Sequence, residues 1–336
     1  MKKNQILIIA TILFVLLACS LPILWILISS MDKGGFQMLA DIAKSSNQPT
    51  PFQPFQYTTT PTRDIKPITD ALVPNAGLVP PEGQINILLL GSDWRPNSGF
   101  RTDVILLVSI YIQQSKVSLV SFPRDLWVQL PGMQEERINT AMGYGGFGLV
   151  QSTFERNFAV HLDHYMMTDF SGFKAIIDTL GGIDINASKN TADKCDLSYQ
   201  RGAWCSIGPG EAHLDGELAL WYVRSRYTSN DFDRTRRAQE VIEGIFKKIM
   251  SLNGISRAPE LYTLFINSVE TDMGLNDFLE LINVAPAILS DPSRVRRYAI
   301  GTDHVTPYVD PGSGANILLP NYNQIWSVIQ EAVYTP

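Results

Sequence analysis

The 336-residue chain has no Gly-x-Ser-x-Gly elbow and no His-Glu-x-x-His pair. The first would raise a serine nucleophile on a strand-to-helix turn. The second would set two zinc ligands on one helix face. Histidine is scarce, with only His161, His164, His213 and His304 present. His161 and His164 flank the start of a strand and read as surface or packing residues. Nucleophilic-triad chemistry is therefore poorly supported. Net positive charge is lacking as well: 27 Lys+Arg stand against 33 Asp+Glu, for a net charge of −6. A general nucleic-acid binder needs a basic field to displace counterions, so the balance argues against nucleic acid as a partner. It leaves room for a local basic pocket. No internal repeat is visible.

Cysteine is nearly as sparse, at three residues. Cys19 sits in an apolar run near the start. Cys195 and Cys205 share one polar, glycine-containing segment, with no histidine or cysteine partner at zinc spacing. The pair reads as a local disulfide in a loop, the alternative being two free thiols. Such a bridge belongs to an oxidising compartment and restricts the unfolded loop.

Charge is absent from Ile6 to Ser30. About twenty apolar residues cross a bilayer core, and this run exceeds that. Lys2 and Lys3 place the preceding end in the cytoplasm. The expectation is a cytoplasmic tail over 1–5, a transmembrane helix over 6–30, and the remaining chain outside the cytoplasm as a single-pass cell-membrane protein. A cleaved signal peptide would have a shorter apolar region. A lipoprotein signal is suggested by Leu16-Leu17-Ala18-Cys19, but the apolar stretch from Leu21 to Ile28 favours an uncleaved anchor. Residues 31–83 are rich in Pro, Ser, Thr and Gln and read as an extracytoplasmic linker.

From Gln84 the pattern changes. Ile85 to Leu90 is a short apolar run ended by Gly91, as in a buried strand. Val104–Ile110 and Lys116–Phe122 form a predicted hairpin around Gln113-Gln114-Ser115. A strand over Tyr165–Asp169 is followed by a helix over Phe170–Leu180, stopped by Gly181-Gly182, and a strand at Ile183–Ile185. Helices are predicted over Leu214–Val223, Phe232–Met250, Tyr262–Val269 and Leu275–Leu289. A strand at Arg297–Ile300 and a helix over Tyr322–Val333 close the chain. Alternating strands and helices predict an α/β fold. Its expected form is a three-layer α/β/α domain over 84–336 with a central mixed β-sheet, preceded by one transmembrane helix.

Two features carry chemistry. Asp93 and Asp103 stand at the ends of adjacent predicted strands. Paired carboxylates are hard ligands suited to Mg²⁺, which takes its other ligands from water and phosphate. The structural alternative is a pair of turn acids matched to Arg95 and Arg101. Arginines are the second feature: Arg124 directly after a buried strand, Arg224 and Arg226 flanking Ser225, and Arg234, Arg236 and Arg237 on one helix. Guanidinium groups grip phosphate oxygens in a forked, bidentate way. The alternative is a set of salt bridges to Asp231, Asp233 and Glu240. The glycine-rich run Ile138 to Gly146 leads into a helix whose backbone N–H groups suit an anion.

Taken in order, several stretches resemble the LytR-CpsA-Psr family of bacterial cell-envelope proteins. They are Asn86–Asp93, Arg101-Thr102-Asp103, Ser121–Asp125, Arg137–Ala141, Tyr144-Gly145-Gly146, Asp169–Phe173, Leu180–Ile183, Leu214–Leu220, and Arg224 through Arg237. The resemblance covers roughly residues 84 to 250. It implies a transferase that moves a phosphate-linked glycan polymer from a polyprenyl pyrophosphate carrier onto a cell-wall acceptor, typically peptidoglycan. By match, Asp93 and Asp103 take the Mg²⁺ positions. Arg101, Arg124, Arg224, Arg226 and Arg234 take the pyrophosphate-contacting positions. Arg124, Asp103 and Asp231 are the expected catalytic residues. The resemblance also implies an apolar groove for the polyprenyl chain. One departure stands out: members usually follow the last arginine with Gln-Gln, and here Ala238-Gln239 follows Arg237. A pyrophosphatase using water as acceptor, and a non-catalytic polyprenyl-phosphate-binding or regulatory module, are the alternative functions.

Overall fold

The computed structural model describes residues 78–93, 101–227, 231–251, 261–263, 266–282 and 284–336. The expected cytoplasmic tail, membrane helix, Cys19, most of the linker and the loop 94–100 lie outside them. Among the described residues, no helix is long and apolar enough to cross a membrane.

Strands β1 (Gln84–Ser92), β2 (Thr102–Tyr111) and β3 (Lys116–Phe122) form an antiparallel meander. A short hairpin of β4 (Trp127–Gln129) and β5 (Glu135–Arg137) precedes helix α1 (Ala141–Phe158), which kinks at Gly145 and Gly146. Strand β6 (His164–Thr168) returns parallel to β1. Asp169 caps α2 (Phe170–Thr179) by accepting the Gly172 N–H at 2.8 Å. Gly181 and Gly182, at φ 76° and 81°, end it in a conformation that side chains disfavour.

Strand β7 (Ile183–Ala187) leads to a hairpin of β8 (Thr191–Leu197) and β9 (Gln200–Ile207), and β10 (Gly210–Leu214) pairs back with β7. Helices α3 (Gly216–Arg224) and α4 (Asp231–Ser251) follow. After them come β11 (Glu270–Thr271), α5 (Leu275–Ile282), α6 (Ala285–Ser290) and β12 (Val295–Ala299). Strands β13 (Val305–Val309) and β14 (Asn316–Pro320) pair antiparallel, and α7 (Tyr322–Val333) closes the chain.

The central sheet has the order β11-β6-β1-β2-β3-β12 and is mixed. Strand alternation divides its side chains between two faces. Leu88, Leu90, Ile105, Leu107, Val120 and Phe122 pack on one face against Phe154 and Phe158 of α1 and Ile325 and Ile329 of α7. Ile87 and Ile110 face the other way, toward Met273, Val284, Ile288 and Phe246. The result is the expected three-layer α/β/α arrangement.

Some boundaries differ. Leu214 ends β10 and does not open a helix, because Asp215 caps α3 by accepting the Leu218 N–H. The predicted Leu275–Leu289 helix is two helices, with Pro286 in the first turn of the second. Val269 lies outside any helix, next to β11. The cysteine segment is a β-hairpin, not a loop; Cys195 and Cys205 bridge its strands with Cα atoms 5.6 Å apart. Its outward positions mix Lys194, Asp196 and Ser206 with the exposed Trp204, and its inward ones, Cys195, Leu197 and Cys205, pack under Trp221, so no long apolar run betrays the strands.

Candidate active site

The meander delivers acids and arginines to one edge of the sheet. The register of β1 and β2 shifts at Gly91/Ser92, and the Asp93 N–H bonds to the Arg101 carbonyl at 3.1 Å. Asp93 and Arg101 therefore close the ends of two paired strands, with Asp103 two residues into β2. Arg124 follows the end of β3. Its Nη1 donates to Asp103 Oδ1 at 2.8 Å, and its Nε to Asp125 Oδ2 at 3.3 Å. Asp125 Oδ1 also meets Arg137 Nη1 at 3.4 Å. Arg234, on α4, brings Nη2 to 3.7 Å from Asp103 Oδ2. The series Arg234–Asp103–Arg124–Asp125–Arg137 alternates in sign, and all five side chains are partly buried. Arg137, which opens one of the stretches that resemble the family, was not given a site role from the sequence; only its link through Asp125 places it here.

Beside this edge opens a cavity of about 400 Å³ between the second sheet face and helices α2, α4, α5 and α6. Ile87, Leu89, Val108, Ile245, Phe246 and Ile288 are among the apolar residues that line it. Asp103, Asp169, Arg224 and Arg234 supply most of its few charged positions. Val241, Ile245 and Ile249, spaced four residues apart along α4, share one helix face, and all three turn to this cavity. A packed interior has few voids larger than a water molecule, so an opening this size is unlike ordinary core packing.

Arg224 is held over the ring of Phe170, its guanidinium carbon 4.4 Å from the ring centroid. The next residues form a braced turn. Asp193 Oδ2 accepts the backbone N–H groups of Arg226 at 2.7 Å and Tyr227 at 3.1 Å. From within, fully buried Arg237 donates Nη2 to the Ser225 carbonyl. Its guanidinium lies 5.8 Å from the Tyr222 ring, and its Nε and Nη1 have no hydrogen-bond partner. Burial, reinforced by nearby Arg236, pulls its pKa below the ordinary arginine value. Arg236, by contrast, is structural: it pairs with Asp233 at 3.6 Å and Glu240 at 2.7 Å.

The Ala238-Gln239 departure has a clear geometry. Gln239 donates Nε2 to Ser121 Oγ at 2.8 Å and to the Tyr298 carbonyl at 3.1 Å, fastening α4 across β3 and β12. Ala238, one turn beyond Arg234, lies on the cavity wall. A short side chain there leaves that stretch of wall apolar.

The structure thus brings Asp103, Arg124, Arg224 and Arg234 to the edge and mouth of one cavity, with Asp93 and Arg101 at the adjoining strand ends. Arg226 is exposed, and Asp193 holds its backbone N–H. The side chain of Asp231, at the start of α4, lies outside the described residues. Among the described residues, no group of three or more His, Cys, Asp or Glu side chains is arranged to hold a metal ion.

The LytR_cpsA_psr family model matches residues 55–302, from within the segment read as linker to just past β12. An Enterococcus faecalis protein named polyisoprenyl-teichoic acid–peptidoglycan teichoic acid transferase TagU is 30% identical over 203 residues, covering 58% of this chain and 64% of its own. Regulatory protein MsrR of Staphylococcus aureus is 31% identical over 200 residues, covering 59% of each chain. The chain thus spans about 60% of the length of these curated relatives. Among solved structures, B. subtilis TagV superposes with a TM-score of 0.63 at 25% identity, over 75% of this chain and 98% of that one. A TagT chain bound to LIIa-WTA has the same fold, with a TM-score of 0.57 at 23% identity over 74% of this chain and 91% of its own. With its motifs, its mixed sheet and the extent of the match in agreement, the chain belongs to the LytR_cpsA_psr family.

Proposed function

We propose that the chain is a phosphotransferase that moves a phosphate-linked glycopolymer from a polyprenyl pyrophosphate carrier onto peptidoglycan. The observation that carries this reading is the apolar cavity with Asp103, Arg224 and Arg234 at its polar end and Arg124 paired to Asp103. An isoprenoid tail fits the apolar walls and a pyrophosphate fits the arginines. Few other metabolites combine the two. The Enterococcus relative, by its name, acts on a polyisoprenyl-linked polymer with peptidoglycan as acceptor.

In the reaction, an acceptor hydroxyl attacks the glycan-side phosphorus. A new oxygen–phosphorus bond forms, the bridging phosphorus–oxygen bond breaks, and the carrier leaves as polyprenyl phosphate. The hydroxyl proton passes to water, since phosphoryl transfer depends on positioning and charge neutralisation more than on a strong base. Arg124, Arg224 and Arg234 hold the equatorial oxygens, and Arg101 and Arg226 extend the positive rim. Asp103 keeps Arg124 and Arg234 aimed. Asp93 and Asp103 are a donor set suited to Mg²⁺: two hard carboxylates, with water and phosphate completing the shell. Bound there, the ion would neutralise charge on the pyrophosphate. Asp231, within the Arg224-to-Arg237 stretch that resembles the family, completes the proposed catalytic residues.

We further place the domain outside the cytoplasm, tethered by residues 6–30. A carrier lipid never leaves the bilayer, so tethering raises the enzyme's effective concentration at its substrate. The disulfide suits that compartment. The test is transfer by the membrane-bound full chain, given a polyprenyl-pyrophosphate glycan, Mg²⁺ and peptidoglycan. Polymer covalently attached to the wall supports the reading. Release of free phosphorylated polymer regardless of acceptor would make it a pyrophosphatase, and binding without turnover would make it a regulatory module.

A further inference from the structure

Among the described residues, the exposed large apolar side chains are few, and two of them touch. Trp204 on β9 is 47% exposed and Tyr227, after α3, is 71% exposed. Their rings meet edge to face with centroids 4.8 Å apart. Single exposed aromatics are ordinary, but a joined pair from two elements, both held in place, is not.

The holding is specific. Trp204 precedes bridged Cys205 and faces Lys194 across the hairpin. Trp221 Nε1 donates to the Lys194 carbonyl at 3.0 Å, tying the hairpin to α3. Asp193 ties it to the backbone of Arg226 and Tyr227. Two rigid aromatic faces are thereby presented with little entropy left to lose on binding. Tyr227 is three residues beyond Arg224, so their Cα atoms are at most about 11 Å apart. The pair therefore stands beside the mouth of the cavity that Arg224 lines.

We propose that Trp204 and Tyr227 form a stacking platform for the sugar rings of the glycan handled at this mouth. The proposal rests on the phosphotransferase reading. A pyranose ring has an apolar C–H face that suits an aromatic surface and a rim of hydroxyls that needs polar partners. Lys194, Asp196, Ser206 and Arg226 are exposed around the pair and supply them. The hairpin is then a glycan-reading attachment beside a phosphate-handling core.

The experiment measures binding of the full chain in detergent micelles to undecaprenyl diphosphate, to the same carrier bearing an N-acetylglucosamine-containing disaccharide, and to chitotetraose. The variants are Trp204→Ala, Tyr227→Ala and the conservative Trp204→Tyr. The expected result is about tenfold weaker binding to a glycan-bearing probe for each alanine variant, unchanged binding to undecaprenyl diphosphate, and near-complete retention in Trp204→Tyr. Loss confined to the lipid-linked disaccharide assigns the platform to the donor, and loss confined to chitotetraose to the acceptor. Unchanged binding to both glycans overturns the platform. So does a loss that extends to undecaprenyl diphosphate. Loss of binding to glycan-free phosphatidylcholine vesicles by the micelle-free chain would assign the pair to the membrane surface and also overturn it. If wild-type chain fails to bind undecaprenyl diphosphate at all, the phosphotransferase reading fails first.

Discussion

Arg124 and Asp103 meet at 2.8 Å across neighbouring strand ends, and Asp103 offers its other oxygen to Arg234. One carboxylate therefore aims two guanidinium groups that arrive from the sheet and from a helix. The pairing does not consume the site's charge. Arg101, Arg124, Arg137, Arg224, Arg226 and Arg234 outnumber Asp93, Asp103, Asp125 and Asp169, and the excess positive charge attracts a polyanion.

That geometry separates activity from stability. Arg124→Ala and Asp103→Asn should each lower transfer by about 10²–10³-fold, the usual effect of losing one charge-stabilising group. The ion pair is partly solvated, so unfolding free energy should fall by no more than about 1 kcal/mol. Radiolabelled-polymer transfer and urea denaturation check the two halves. Full transfer by either variant would remove these residues from the site.

The cavity predicts a dependence on lipid length. Each methylene buried contributes about 0.8 kcal/mol, so thermal stabilisation by isoprenyl diphosphates should rise with chain length and level off when the roughly 400 Å³ space is full. Val108→Trp, on the cavity wall, should flatten that dependence while leaving binding of inorganic pyrophosphate intact. Differential scanning fluorimetry across a length series reads both.

Arg237 braces the turn between Arg224 and Arg226 from inside the protein. Arg237→Ala should destabilise by about 3 kcal/mol, since it leaves a cavity and strips the Ser225 carbonyl of its donor. Arg237→Met keeps most of the volume and loses the bond. It should recover much of the stability while transfer stays reduced. Chemical denaturation alongside initial rates distinguishes packing from positioning.

The hairpin anchor should respond to acid. Burial raises the Asp193 pKa, but hydrogen bonds from the backbone of Arg226, Tyr227 and Lys194 together bring it below 3.8. The folded value is thus below the unfolded one. The anchor's contribution is complete above about 3.8 and is lost only as pH falls through the lower folded value. Near-ultraviolet circular dichroism of the Trp204–Tyr227 pair should be flat from pH 5 to 8. Asp193→Ala should reduce that signal at every pH.

Reducing the disulfide should loosen the same hairpin. A bridge with a sequence separation of 10 restricts the unfolded loop by about 3 kcal/mol. The effect should concentrate in amide exchange over 191–207 and barely reach the central sheet, because the hairpin is a separate two-stranded sheet. Mass-spectrometric exchange with and without reductant measures it.

How much was legible follows from physical range. Lys116–Phe122 and Tyr322–Val333 emerge with their predicted ends because local apolar pattern and turn residues mark them. The hairpin at Thr191–Ile207 was read as a loop because its outer side is mostly charged or polar, with Trp204 as the aromatic exception, and its inner side owes its burial to a disulfide and Trp221. Leu214 was placed in a helix because its apolar character suits either element; only the Asp215 cap decides.

The amino-acid order by itself determined the family motifs, the alternation of strands and helices, the placing of two cysteines in one segment and the clustering of arginines after apolar elements, since all of these are local in sequence. Only the tertiary structure decided which arginines serve which role. Arg236 is committed to Glu240, Arg237 is buried beneath a turn, Arg137 joins through Asp125, and Arg234 shares Asp103 with a residue 110 positions away. It also opened the cavity, because an empty space is made by elements distant in sequence that fail to meet, and no single segment records that.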